Sequence, residues 1–425
     1  MKPCPESPDP RAVLQDTDLC VKCGLCLPHC PTYRATRDEG DSPRGRITLM
    51  QGLMAGQLED DAVVRRHLDG CLSCGACTAV CPSRVPFGRL MDAARAVLTP
   101  PRSQGRVSGH LLRHAGTRRA AAGVLRVAQR TGMMQVAGVL GSSRRPGLAR
   151  DARLLPRLGP APPRRGGHTR PETAAGEGAG AARRVALFTG CTGETLDAAA
   201  VRAALAVLER LGWQVTVPRE QVCCGALDQH AGRPGAAADL ARRNRRAFAA
   251  SEGPILSLNS GCRAHLRDYA ACDGEGADIA ARVTGLCTLL QGVDLGPLRL
   301  RDDPLRVAMH TPCTLRHVLG EHDALEALLR RLPGVEVLPL PENELCCGSA
   351  GTHMLENPAM ADRLLAPKLE AVEALAPDVL VTANVGCAVH FAAGLKARRS
   401  GVAVLGPAEL LAQRMGVLES SPPDR

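Results

Sequence analysis

The sequence predicts a multidomain chain of mixed α+β and α/β class: a helical, cysteine-bearing domain followed by a duplicated α/β unit of parallel βαβ type. Two observations lead there. Eight cysteines fall in two short runs, Cys20–Pro31 and Cys71–Pro82. From Val185 onward, strand-like apolar runs alternate with Ala- and Leu-rich helical stretches, and the same cysteine landmarks occur twice. Strands that alternate with helices call for parallel sheets. A chain of 425 residues has room for about three domains. The boundaries fall at 1–100 for the cysteine-run domain, 101–182 for a basic segment and linker, and 183–300 and 301–425 for the two α/β units.

The two runs read CVKCGLCLPHCP and CLSCGACTAVCP. Both space their cysteines C-x2-C-x2-C-x3-C and close on proline, the spacing of a bacterial ferredoxin with two [4Fe–4S] clusters. Three thiolates on a tight turn reach three irons of one cube, and the fourth lies too far along to close it. In two-cluster ferredoxins that fourth cysteine serves the other cluster. One cluster is therefore assigned to Cys20, Cys23, Cys26 and Cys81, the other to Cys71, Cys74, Cys77 and Cys30. Pro31 and Pro82 fix the backbone as it leaves each site. Zinc needs four ligands, usually two CxxC pairs, and disulfide frameworks belong to small secreted chains. Neither fits a doubled run closed by Cys-Pro.

The chain carries 19 cysteines with no charged-then-apolar leader in Met1–Asp18, which argues for a reducing, cytoplasmic compartment and for metal binding. No apolar run approaches the ~18 residues of a membrane span. Net charge is +10, and the stretch Arg102–Arg184 holds 17 arginines against Asp151, Glu172 and Glu177. Without interleaved aromatics to stack bases, this block does not read as a nucleic-acid surface. A solvated face, or a docking surface for acidic partners or the anionic inner face of the cytoplasmic membrane, fits better.

Taken in order, helices are expected over Arg46–Gln57, Asp60–Leu68 and Leu90–Leu98, the last stopped by Pro100-Pro101. Arg44 and Arg46 lie either beside a cluster, favouring its reduced form, or in solvent. Clustered apolar residues over Val107–Leu140 suggest two helices with one buried face each, and Pro146–Gly180 reads as a linker. The first α/β unit has strands at Val185–Thr189, Gln214–Val217 and Ile255–Leu258, and the second at Leu305–His310, Val335–Leu338 and Val379–Thr382. Helices are expected at Glu194–Leu211, Ala236–Ala250, Ala324–Leu332 and Met360–Leu375. Cys191 to Cys313 is an offset of 122, Cys223 to Cys346 of 123 and Cys262 to Cys387 of 125, which indicates duplication. The cysteines follow strands, where open α/β sheets bind ligands. Cys191, Cys223, Cys224, Cys262 and His265 make one candidate metal site, and Cys313, Cys346, Cys347, Cys387 and His390 the other. The alternative at each is a set of reduced core cysteines with a capping histidine. Cys4, Cys272 and Cys287 match no pattern.

The Cys…Cys-Cys-Gly…Cys pattern resembles the paired CCG cysteine-rich domains of heterodisulfide reductase relatives. With PRGRI at Pro43–Ile47, LCCGSAGTH at Leu345–His353 and VTANVGC at Val381–Cys387, nearly the whole chain resembles the glycolate oxidase iron–sulfur subunit family. The resemblance implies an electron carrier. FAD-bearing partner subunits would oxidise glycolate to glyoxylate, and this subunit would pass the electrons singly towards a quinone-type acceptor at the membrane. No G-x-G-x-x-G opens a βα unit, in keeping with flavin on other chains. The iron–sulfur subunits of anaerobic glycerol-3-phosphate and lactate dehydrogenases share the build, and a heterodisulfide-reductase-like thiol–disulfide enzyme is the reading from another class. Each CCG unit here ends in CxxH, where cluster-bearing relatives end in CxxC, which puts further clusters in doubt.

Overall fold

The computed structural model describes residues 10–98, 115–131, 154, 166 and 183–417. The N-terminal domain packs three helices, α1 (Pro43–Met54), α2 (Ala62–Asp69) and α3 (Phe87–Val97), around Ile47, Met50, Val64, Leu68, Phe87, Leu90 and Met91. Their starts follow from local chemistry. Ser42 caps α1 by accepting from Gly45 N at 2.9 Å, with Pro43 at the first helical position. Asp61 caps α2 by accepting from Val63 N and Val64 N, both at 2.8 Å. Each helix lies within about three residues of its expected span.

Helix α4 (Ala115–Arg130) lies within the span where two helices were expected, and the rest of that span falls outside the described residues. The expected buried face is only partly present: Ala122 is buried, but Val124 and Val127 face solvent.

Each α/β unit then builds a four-stranded parallel sheet. The first orders β1 (Arg183–Phe188), β2 (Trp213–Thr216), β3 (Ile255–Ser257) and β4 (Val283–Thr284) as β2-β1-β3-β4. Among its helices are α5 (Ala198–Arg210), α6 (Ala226–His230), α7 (Pro234–Phe248) and α8 (Ser260–Arg267). The second orders β5 (Leu305–His310), β6 (Val335–Pro339), β7 (Val379–Thr382) and β8 (Ala403–Leu405) as β6-β5-β7-β8, with α9 (His322–Arg330), α10 (Pro358–Leu375), α11 (Val385–Ala397) and α12 (Pro407–Arg414). The identical order confirms the duplication.

Side-chain alternation along the central strands separates two layers. Val185 and Leu187 of β1 join Val307 and Met309 of β5 in one core shared by both sheets. Ala186 and Phe188 face the other way, into a cluster holding Cys191, Cys223, Cys224 and Cys262. Ala308 likewise faces Cys347 and Cys387. The units also join at their helix starts, where Ser260 N donates to Ala383 O and Ser260 Oγ lies 2.7 Å from Thr314 Oγ1.

The N-terminal domain sits against both units. His230 Nδ1 lies 2.9 Å from Asp92 Oδ1, and Arg34 reaches Glu342 at 2.5 Å. Leu72, Cys74 and Ala76 pack directly on Cys346, with Cys313 alongside.

Candidate metal centres

The two N-terminal runs adopt the same backbone. Lys22 and Gly24 in the first run, and Ser73 and Gly75 in the second, take positive φ at matching places around the second cysteine. Glycine accepts that conformation without strain; lysine and serine are held in it by the loop. Among the described residues no cysteine is in a disulfide. Burial pushes the Cys26 thiol up to about 11, with Cys20, Cys30 and Cys23 adding to the rise. Cys77 is also pushed up, by burial first and then by Cys71, Cys30 and Cys26. Thiols held protonated by burial and mutual repulsion ionise when metal shares their charge. Cys30 influences both Cys26 and Cys77, so it stands between the two runs. Among the described residues, no three of these eight sulfurs lie within 4.8 Å of one another. That spread suits a multi-iron cube, whose corner ligands stand further apart than ligands of one ion. The donor set therefore fits two [4Fe–4S] clusters.

The PRGRI phrase has a physical meaning here. A Cβ on Gly45 would stand 1.8 Å from Glu39 O, so only glycine lets the helix start close on the preceding turn. Arg44 Nε bonds Glu39 at 2.5 Å, and Arg44 Nη1 donates to Lys22 O inside the first run at 3.2 Å. Arg46 is 1% exposed. It donates to His67 O at 2.7 Å, Thr32 Oγ1 at 2.9 Å and Asp41 O, and its Nη1 lies 3.9 Å from Cys30 Sγ. Arg46 is thus not solvated but buried beside Cys30.

The first α/β unit brings its four cysteines together. The thiols of Cys191 and then Cys224 hydrogen-bond Cys223 and hold it well below the ordinary thiol range. Behind them Asn244 Nδ2 donates to Cys223 O and Tyr269 OH donates to Cys224 O, at 2.9 and 2.8 Å. Gly225, at φ +98°, lets the Cys-Cys turn close on Ala237 and on the His265 ring. His265 is buried, with burial pushing it down to about 4, and its Nε2 lies 3.9 Å from Cys272 Sγ. Cys272, which matched no pattern, is thus a neighbour of this site.

In the second unit the adjacent cysteines divide. Cys346 Sγ lies 3.9 Å from Cys313 Sγ, while Cys347 Sγ lies 3.3 Å from Cys387 Sγ. Hydrogen bonds from Cys346 and then Cys387 hold Cys347 well below the ordinary thiol range. Asn384 starts α11 by accepting from Gly386 N and Cys387 N, which fixes Cys387 in the first turn. His390 is 1% exposed, and its Nε2 lies 3.6 Å from Asp362 Oδ1. The structure adds a residue that the spacing argument passed over. His310, the last residue of β5, comes together with Cys347 and Cys387, all three ligand atoms lying within 4.8 Å. Its signal was a lone histidine ending a buried strand. Lys368, on α10, is also buried here; burial pushes it down, while Cys347, Cys346 and Cys387 pull it back up.

Comparison with known proteins follows the same division. The family described as 4Fe-4S dicluster domain matches residues 16–85, and Cysteine-rich domain matches 185–267 and 307–392. Over 400 residues the chain is 34% identical to the Glycolate oxidase iron-sulfur subunit of Escherichia coli (strain K12), across 90% of this chain and 92% of that one. The chain belongs to the glycolate oxidase iron–sulfur subunit family. It is 31% identical over 398 residues to the Probable glycolate oxidase iron-sulfur subunit of Bacillus subtilis (strain 168), across 89% and 88% of the two chains. Lactate utilization protein A of Geobacillus thermodenitrificans (strain NG80-2) is 28% identical over 238 residues, which is 54% of this chain and 99% of that protein. As a member of this family the chain is an iron–sulfur electron-transfer subunit of an oxidoreductase. Among the described residues no helix is long and apolar enough to cross a membrane.

Proposed function

We propose that this chain relays electrons from flavin-bearing partner subunits, which oxidise glycolate to glyoxylate, to a quinone-type acceptor at the inner face of the cytoplasmic membrane. The observation that carries the reading is the 34% identity over 90% of the chain, with all eight cluster cysteines in place. A [4Fe–4S] cluster accepts and gives one electron at a time, which lets a two-electron oxidation feed a stepwise carrier. Cys20, Cys23, Cys26 and Cys81 would hold one cluster, and Cys71, Cys74, Cys77 and Cys30 the other. Cys23 is exposed and Cys74 buried on Cys346, which supports entry through the first run and passage inward through the second. Arg46 holds a positive charge beside Cys30 and favours the reduced state there.

The test is a reconstitution. The purified chain alone should oxidise no glycolate. With flavin-bearing partner subunits added, glycolate should reduce a quinone analogue, and Cys74→Ser should abolish transfer while leaving flavin reduction intact. Glycolate oxidation by this chain alone would contradict the reading. A lactate-oxidising complex is the second reading, favoured by the likeness to Lactate utilization protein A. Exchanging glycolate for lactate in the same assay separates them.

A further inference from the structure

The second α/β unit differs from its duplicate at the place where a metal would sit. By the offset of 122, His310 stands where the first unit has Phe188. Phe188 turns its ring towards Phe248, with centroids 6.0 Å apart, and fills the layer behind the cysteines with hydrocarbon. His310 puts an imidazole there instead. It is 1% exposed, its ring meets Phe391 edge-on at 4.8 Å, and Nδ1 lies 2.9 Å from Thr382 Oγ1. Nε2 is buried with no hydrogen-bond partner. An unpartnered imidazole nitrogen at this depth is destabilising unless something completes it. What the imidazole meets is the pair Cys347 and Cys387, with sulfurs 3.3 Å apart and a ring nitrogen within 4.8 Å of both.

We propose that His310 Nε2, Cys347 Sγ and Cys387 Sγ hold one thiophilic divalent metal ion, iron or zinc, in the second cysteine-rich unit. Mixed imidazole and thiolate ligation is what such ions take. Thr382, accepting from Nδ1–H, fixes the tautomer that leaves a lone pair on Nε2, the usual arrangement behind a metal-bound histidine. Lys368 stands at the place of Asn244, each ten residues after the proline that opens its helix. Its buried ammonium adds positive charge beside the thiolates, where the first unit has a neutral amide. Among the described residues the first unit gathers no three such ligand atoms within 4.8 Å. His390 is not part of the gathered group in the second unit, so the ligand histidine comes from the strand and not from the CxxH motif.

The full-length chain, prepared without oxygen with its N-terminal clusters in place and then supplied with Fe(II) or Zn(II), should show one extra ion by native mass spectrometry. The mass identifies which metal is held. His310→Phe, which copies the duplicate, and Cys387→Ser should each lose that ion, and His390→Gln should keep it. His310→Asn, which keeps a polar contact for Thr382, gives a second route should the Phe variant fold poorly. The low-temperature EPR signal of the reduced N-terminal clusters should persist in all four, separating failure here from failure of the electron-carrier reading. An ion retained in both His310 variants, or no ion bound by the wild-type chain beyond its clusters, would overturn the assignment.

Discussion

Replacing Arg46 with glutamine should lower the midpoint potential of the cluster that uses Cys30. The guanidinium Nη1 is 3.9 Å from Cys30 Sγ and sealed from water. The added electron spreads over a cube beyond the sulfur, so its mean distance from the charge is about 6 Å. At an effective dielectric of about 20 that attraction is about 3 kcal/mol. Asp41, whose Oδ1 is 3.4 Å from Arg46 Nη2, brings the opposing charge and stays in place in this variant. The expected drop is about 120 mV for a one-electron couple. Asp41→Asn removes the opposing charge and should move the potential upward. Potentiometric titration followed by EPR reads both variants, and the signal that moves identifies the cluster that Cys30 serves. The reasoning is refuted if the two substitutions shift the potential in the same direction, or if Arg46→Gln moves it by less than about 18 mV, a twofold change in the equilibrium.

Cys30→Ser should damage the cluster of the second run; loss of the Cys20 cluster instead would show that ligation is not crossed. Gly45→Ala forces a Cβ to within 1.8 Å of Glu39 O and should cost about 3 kcal/mol of stability, with poor cluster retention, as read by urea denaturation and iron content. Burial pushes His353 down from 6.5 to about 4, opposed by its bond to Gly348 O. The unfolded imidazole gains a proton below about pH 6.5 and the folded one does not, so stability falls as pH drops from there towards 4 and is unaffected above. Between pH 7 and 5 this histidine should account for about 2 kcal/mol of lost stability, and His353→Gln should flatten the slope; parallel denaturation curves would refute it. The arginine-rich stretch Arg102–Arg184 should bring the chain up with anionic liposomes at low salt and release it at high salt, since each Arg gains about 1 kcal/mol near such a surface and salt screens it. Equal flotation with neutral liposomes would remove that electrostatic account.

Ligand spacing is a local property of a chain, which is why Cys20 to Cys81 could be read as two cluster loops before any fold was known. Periodicity likewise placed the long strands and helices of both units, because their burial repeats over enough residues to leave a pattern. Strands β4 and β8, two and three residues long, leave none, and only pairing with β3 and β7 makes them strands. Helices α8 and α11 were hidden because their first turns carry the CxxH motifs, which read as ligand spacing rather than as helix starts capped by Asn259 and Asn384. Arg46 could be named from the sequence, but its burial depends on His67 and Asp41 converging on it from separate segments. His310 is the clearest limit. Alternation along β5 says that it faces away from Val307 and Met309, yet only the packing of α11 and the Cys346-Cys347 turn against that face decides that it meets two thiols. Phe188, at the same place in the duplicate, also faces a cluster that holds cysteines but brings a hydrocarbon ring with no ligand atom, so one side chain differs while the backbone pattern is the same.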